Sequence, residues 1–192
     1  MSTHPNGIDP SSLDLTTEVV RTERPVLRPH REDDVDPIFA ACQDPDLQRW
    51  LTALPFPYSR DDAVAYVHDI SARGRARGTD LSCAIEADGE LVGSCGAHYL
   101  TGGRLGPEIG YWIAPGARRR GFAAEAAHGL ATWALGHGAP RVHLYTDVGN
   151  GASQAVARRA GFTEEGVVRS CLEYGDGTRA DAVLFGRLAG DA

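Results

Sequence analysis

The residues best equipped for chemistry stand together as Arg118-Arg119-Arg120-Gly121-Phe122-Ala123. Arginine presents a planar fork of donors that matches phosphate oxygens in pairs. A helix that starts within this run adds first-turn N–H groups without intrahelical partners and the positive end of its dipole. Gly121 lets the backbone approach a ligand closely, and the small Ala123 keeps that approach open. Three arginines alone would read as a solvated surface run. Set between a strand, a turn and a helix, they read as an anion site whose natural guest is phosphate or pyrophosphate. The loop has neither the Gly-Lys-Ser/Thr of a P-loop nor a Gly-x-Gly-x-x-Gly turn.

The flanking elements must hold that loop. Ile109, Tyr111 and Ile113 alternate with Gly110 and Trp112, the period of a strand, and Pro115-Gly116 ends it. Ala126, Ala127, Leu130, Trp133 and Ala134 then fall at helical spacing, and Val142, Leu144 and Thr146 alternate as the next strand. A strand–helix–strand unit of this length makes a right-handed parallel crossover. Upstream, two strands over 81–87 and 91–100 flank Asp88-Gly89, a hairpin turn signal. Residues 24–29, with proline near each end, read as a short edge strand.

Two helical stretches lie between these strands. Val35, Ile38, Phe39 and Cys42 form one apolar stripe, which Asp44-Pro45 ends, and 47–51 adds a short turn. Ser59 caps the second, with Ala63, Val64, Val67 and Ile70 on one face and Arg73, Arg75 and Arg77 at a solvated C-terminal end. Near the C-terminus, Ala152, Ala155, Val156 and Ala160 mark a short helix that Gly161 stops. Residues 163–168 and 182–188 form a final strand pair around a loop at 174–177. The expected class is α/β (α+β), a mixed and mostly antiparallel sheet.

Length and composition set limits. The chain has 192 residues, 42% hydrophobic and 23% charged, which suits one globular domain over 21–190 behind a mobile tail at 1–20. No apolar run reaches the roughly 20 residues that span a bilayer, and the N-terminus lacks a signal peptide's basic start and apolar core. With 19 Lys and Arg against 26 Asp and Glu, the net charge of −7 argues against a general nucleic-acid binder and suits a cationic acceptor. Cys42, Cys83, Cys95 and Cys171 lack Cys-x-x-Cys spacing, so four free thiols in a reducing cytoplasm are expected, with no metal.

Arg118-x-x-Gly121-x-Ala123 resembles the Gln/Arg-x-x-Gly-x-Gly/Ala signature of the GNAT N-acetyltransferase superfamily. The preceding Glu-Ile-Gly-Tyr-Trp-Ile, the following Ala-x-Glu-Ala, Leu27-Arg28-Pro29, Asn150-x-x-Ser153 and Ala160-Gly161-Phe162 resemble its RimJ/RimL-like branch, the ribosomal-protein-alanine acetyltransferases. The matches run over about 25–188. The resemblance implies a central sheet of about seven strands flanked by about four helices, with two parallel central strands splayed apart. It implies acetyl-CoA as cosubstrate, without metal. The backbone of Trp112, Ile113 and Ala114 would hold the pantetheine arm. Arg118, Arg119, Arg120, Gly121, Phe122, Ala123 and Ala124 would hold the pyrophosphate, and Asn150 and Ser153 would lie on the coenzyme side.

Transfer from a thioester to an amine needs a neutral amine, a polarised carbonyl and a protonated leaving thiolate. Glu108, at the start of the donor-binding strand, is the first candidate base, and Glu173, before the last strand, is the second. Ser153 is the candidate partner of the thiolate, with Tyr174 behind it; helix capping is the alternative role for Asn150 and Ser153. Glu125, near a helix start, reads as a complement to the dipole. His143 reads as a packed histidine, and His98 and His128 have no evident partners. The acceptor is a primary amine, on a protein N-terminus or a small molecule, with neither nucleic acid nor membrane as partner and the chain a monomer or homodimer. A non-catalytic acyl-CoA-binding module and a transferase of longer acyl groups are the alternatives.

Overall fold

The computed structural model describes residues 7–52 and 54–191. One sheet is built from β1 (Val20–Arg21), β2 (Val26–Arg28), β3 (Leu81–Ala87), β4 (Glu90–His98), β5 (Glu108–Ile113), β6 (Arg141–Asp147), β7 (Thr163–Glu173) and β8 (Arg179–Leu188), in the order β1-β2-β3-β4-β5-β6-β8-β7. Every neighbouring pair is antiparallel except β5 and β6. The eighth strand, beyond the expected seven, is β1. The Thr22 N–H and hydroxyl both donate to the Pro25 carbonyl and fold residues 20–21 back onto β2. The hairpin forms at Asp88 (φ 55°) and Gly89 (φ 82°), the paired left-handed conformation that a two-residue turn of this hand requires.

Among the described residues there are six α-helical segments: α1 (Val35–Ala41), α2 (Pro45–Trp50), α3 (Arg60–Ala65), α4 (Ala72–Arg77), α5 (Phe122–Gly136) and α6 (Gly151–Arg159). Asp44-Pro45 both ends α1 and starts α2, since Asp44 accepts from the Leu47 N–H and Pro45 needs no donor at the first position. A single π turn, Tyr66–Ser71, joins α3 to α4 and shifts the helical phase. Ile70, expected on the apolar face, is therefore 64% exposed, while Ser71 and Arg75 turn inward. No helix among the described residues is long and apolar enough to cross a membrane.

α5 lies on one face of the sheet. Its Ala126, Ala127, Leu130, Ala131 and Ala134 are buried with Leu81, Cys83, Ile85 and Ile109, the run of alanines allowing close approach. A smaller cluster of Val35, Ile38, Cys42, Tyr58, Ala63 and Val67 packs with Trp112 and Leu91 on the other face. The segment read as a tail is laid on this frame from Gly7 onward, and residues 1–6 lie outside the described residues. Ile8 and Leu15 are buried in the main core, and the Ile8 N–H donates to Leu100 O at 2.8 Å. Arg75, expected in solvent, donates to Ser82 O (2.8 Å) and Glu18 O instead, and Trp133 Nε1 donates to Glu18 Oε1. With Cys83 Sγ at 3.3 Å from Nη1, Arg75 has three acceptors in place of solvent, and its Nε has no partner among the described residues.

A buried ion pair ties β2 to the first helical layer. Arg28 donates both terminal nitrogens to Asp34, at 2.7 and 2.8 Å, and its Nε to Glu86 at 2.6 Å. Burial of Asp34 opposes ionisation, but the Arg28 fork and the Arg31 N–H hold its carboxyl below the usual range. Removing Asp34 takes the carboxylate from both terminal nitrogens of Arg28, with its Nε still on Glu86, so Asp34→Ala is expected to cost about 3 kcal/mol in urea unfolding at neutral pH. Because the folded pKa is depressed, the Asp34 contribution is complete above the unfolded value of roughly 3.9 and is lost as pH falls through the folded one. The wild type and the variant should accordingly converge in stability at strongly acidic pH.

Candidate active site

The parallel ladder between β5 and β6 consists of one register pair, Glu108 with His143, supported by the His143 N–H donating to Pro107 O at 3.0 Å. Beyond it the strands part. β5 continues against β4 as far as Ile113, so its β6-facing backbone groups over 110–113 have no strand partner among the described residues. Trp112 packs into the α1–α3 cluster and Ile113 against the main core, as strand alternation requires. The Ala114 N–H is already engaged, donating to Val92 O at 2.9 Å.

From β5, the Tyr111 hydroxyl reaches α6, where it meets Ser153 Oγ at 2.9 Å and Ser153 O at 3.2 Å. The face of α6 expected to be apolar is displaced by one residue. Ala152 and Ala155 are exposed, and Ser153, Val156, Ala157 and Ala160 turn inward. Asn150 caps α6, its Oδ1 accepting from the Ser153 N–H at 3.0 Å. Asn150 thus orients the residue whose hydroxyl faces Tyr111. Burial pushes the Tyr111 phenol up to about 12, with its Ser153 hydrogen bond acting the other way.

Past the open end of this gap lies the arginine loop. A 3₁₀ turn, Pro115–Ala117, leads into it; Arg119 takes φ 63° and Gly121 φ 89°, and α5 begins at Phe122. Gly121 offers no capping side chain, which leaves the first-turn amides of α5 available to an anion. A cavity of about 400 Å³ opens here, lined by Arg24, Arg119, Arg120, Gly121, Ala124, His128 and Arg159, with Glu125 the one acidic residue. Arg24 and Arg120 stand over the buried Phe122 ring, 5.1 and 4.8 Å from its centroid. Glu125 accepts from Thr22 Oγ1 (2.8 Å) and from the Arg24 N–H (2.6 Å) and Nε (2.8 Å), so besides facing the dipole it clamps Arg24 at the cavity. The Arg118 side chain points elsewhere, to Asp44 and to Asp46 (3.3 Å).

Glu108 is half-buried on the sheet face opposite α5, its Oε2 3.6 Å from His143 Nε2. His143 is buried, as a packed histidine should be, and its Nδ1 has no hydrogen-bond partner among the described residues. At 3.6 Å the Glu108 and His143 side chains are neighbours without a direct hydrogen bond. Glu173 lies on the β7–β8 hairpin, exposed and paired with Arg179 at 3.2 Å. Its neighbour Tyr174 donates to Asp147 Oδ2 at 2.7 Å, and burial together with that carboxylate keeps the phenol protonated. Tyr174 and Asp147 line a second cleft, of about 540 Å³, with Trp50, Phe56 and Asp176; Glu173 is not among its walls. His98 meets Asp80 at 3.1 Å and His128 meets Ala160 O at 3.2 Å, partners that sequence spacing does not reveal.

The sequence reading missed Arg24, His128 and Arg159 in the basic cavity and Tyr111 beside Ser153. Arg24 stands 101 residues from Glu125, which holds it, and no periodicity carries that distance. Tyr111 had a signal, since it shares the alternating face of Ile109 and Ile113 and so had to point toward the helices following the crossover.

A mixed sheet with one splayed parallel pair thus carries two separate openings, an uncapped helix start ringed by arginines and a cleft lined by Trp50, Asp147 and Tyr174. Residues 24–163 match the acetyltransferase (GNAT) domain family, and the chain belongs to that family. It is an acyltransferase. The chain is 36% identical over 147 residues to YdaF of Bacillus subtilis (strain 168), provisionally named a ribosomal N-acetyltransferase, covering 74% of this chain and 78% of that one. Similarity to the uncharacterized N-acetyltransferase YoaA of the same organism is 29% over 171 residues, covering 87% and 94%. Among solved structures, Mycobacterium smegmatis RimJ in complex with CoA-disulfide superposes with a TM-score of 0.78 at 26% identity, covering 90% of this chain and 88% of that one.

The left-handed backbone at Gly121 sets a first test of the loop. A Cβ there would meet only Arg24 Nη2, 3.0 Å away at the end of a long side chain, so the backbone conformation weighs more than the contact. Gly121→Ala is expected to lower stability by about 1–2 kcal/mol in urea unfolding.

Proposed function

We propose that the protein is an acetyl-CoA-dependent N-acetyltransferase acting on a primary amine, within one domain that takes in the segment from Ile8 as well as 21–190. The carrying observation is the convergence of Arg24, Arg119, Arg120 and Arg159 on the uncapped start of α5, at the open end of the β5–β6 gap. In this reading the amides of Gly121, Phe122, Ala123 and Ala124 and the arginines take the coenzyme phosphates. The open β5 edge at Trp112 and Ile113 guides the pantetheine arm into the gap, with Ala114, whose N–H and carbonyl are already paired, marking its end. The thioester then stops between Glu108 and Ser153, and the acceptor enters from the Trp50–Tyr174 cleft on the other face.

Chemistry follows from that placement. The amine arrives largely protonated, since an α-amine has a pKa of roughly 8 and a lysine-like amine one near 10.4. Glu108, directly or through a water, accepts its proton. The amine nitrogen attacks the thioester carbon, and an unpaired strand N–H in the gap stabilises the oxyanion. As the C–S bond breaks, the nitrogen sheds its remaining extra proton on becoming the amide, and the Ser153 hydroxyl, held by Tyr111 and by the Asn150 cap, hydrogen-bonds the departing thiolate and relays that proton to it. Positioning of donor and acceptor contributes perhaps ~7–11 kcal/mol of the barrier reduction. YdaF's provisional name points to a ribosomal acceptor, which a protein N-terminal amine would supply, and a small-molecule amine is the alternative. The protonatable groups on both sides of the gap favour this reading over a non-catalytic sensor. Tyr111, filling the space beside Ser153, favours acetyl over longer acyl groups.

Calorimetric titration with acetyl-CoA, with dephosphorylated pantetheine for comparison, tests the donor. Tight binding that needs the phosphates is expected, and Gly121→Asp should abolish most of it; no binding to folded protein would reject the assignment. Glu108→Gln is expected to lower kcat by about 10²–10⁴-fold with donor affinity retained. Glu173→Gln, already solvated and paired, should leave kcat within about twofold. Equal rates for wild type and Glu108→Gln, measured against a panel of peptide and small-molecule amines, would remove Glu108 as the base.

A further inference from the structure

We infer that Arg118 is a positioning residue for the acceptor side of the site, reaching out of the phosphate loop to hold α2, and is not a ligand of the phosphates. The inference rests on the coenzyme reading of the loop given above. Arg119 and Arg120 line the basic cavity and Arg118 does not. Its two terminal nitrogens are instead divided between Asp44 and Asp46, and the Arg118 hydrogen bond holds the Asp44 carboxyl below its usual range.

The place where Arg118 lands matters. Asp44 is the N-cap of α2, so the carboxylate that takes the Arg118 guanidinium also accepts the Leu47 N–H at 3.0 Å. A helix of six residues has no stability of its own. Only Leu47 of α2 is buried, and Gln48 Nε2 ties the helix to Cys42 O at 3.0 Å. Yet α2 supplies Gln48, Arg49 and Trp50 to the acceptor cleft, and Trp50 stands against Gly149 at the turn between β6 and α6. A short helix, weakly anchored, thus forms one wall of the cleft, and the donor loop holds its start. A phosphate that fixes the amides after Arg119 also fixes the root of Arg118, so donor binding sets the position of the acceptor wall.

Two measurements on the full chain decide this: calorimetric affinity for acetyl-CoA and hydrogen exchange over 44–51. Arg118→Met should leave the affinity within about threefold, while Arg119→Ala/Arg120→Ala weakens it by at least about tenfold. Exchange over 44–51 should rise about tenfold or more in Arg118→Met and stay unchanged in the double-alanine variant. Acetyl-CoA should slow exchange over 44–51 in the wild type but not in Arg118→Met, a coupling that a merely structural ion pair would not produce. Asp44→Asn/Asp46→Asn, which keeps a capping side chain, should reproduce the Arg118→Met result and serves if that variant does not fold. An affinity loss in Arg118→Met equal to that of the double-alanine variant would overturn the inference, as would unaltered exchange over 44–51. Failure of the wild type to bind acetyl-CoA would instead reject the coenzyme reading, with the exchange rates of the unliganded variants still deciding whether Arg118 holds α2.

Discussion

The structure depends on a ladder that stops after one rung. Backbone N–H and C=O groups away from water must find partners, and in the rest of this sheet they find them in neighbouring strands. Between β5 and β6 they cannot, because the strands part beyond Glu108 and His143. Burying an unpaired amide costs a few kcal/mol, so such a gap persists only where water or a ligand completes the hydrogen bonds. Each neighbouring element can be understood from this constraint. α5 closes the gap from one face, the Tyr111–Ser153 contact spans from β5 to α6, and the arginine loop stands at the open end.

A gap in the middle of a sheet weakens it, and the surrounding ties show how the rest is held. Arg28 bridges Asp34 and Glu86, joining β2, β3 and the layer that begins α1. Arg75 binds the N-terminal segment to β3, and Glu125 binds the β1–β2 turn to α5. All three are charge-assisted contacts between segments far apart in sequence, and each leaves the central gap untouched. β8 carries the far half of the sheet, pairing with β6 over seven positions, so the two halves are joined at the splayed pair chiefly through the helices that pack across it.

Much of this was legible in the sequence because local rules coincided. The alternation from Ile109 to Ile113, the Pro-Gly stop, the Asp-Gly turn and the alanine-rich helix each follow from short-range sterics and periodicity. The same holds for the loop, whose arginines and glycine occupy consecutive positions. What escaped is long-range or phase-dependent. Ile70 was assigned inward because a uniform 3.6-residue period was assumed, and one π turn overturned it. The α6 face was displaced by one residue for a related reason: alanines fit either side of a helix, so composition gave no direction, and it is Ser153 facing Tyr111 that marks the inner side. Arg118 belonged by type with its two neighbours, and only the fold shows that a loop can send adjacent arginines to different partners.

The π turn between α3 and α4 also divides one continuous helix into two halves with different obligations. The first half turns Ala63 and Val67 toward α1, whereas the second turns Ser71 and Arg75 toward β3 and the N-terminal segment. At the junction a buried polar chain forms: His30 meets Ser71 at 2.9 Å and Ser94 at 3.2 Å, and Ser94 meets Tyr66 at 3.0 Å. Burial drives His30 down to about 4, so the chain remains uncharged across the neutral range. Because the halves are out of phase, a roll of the helix that improved one set of contacts would spoil the other. The helix is thereby keyed against rotation, like a shaft with two offset splines, and α1 rests on a bearing that cannot turn.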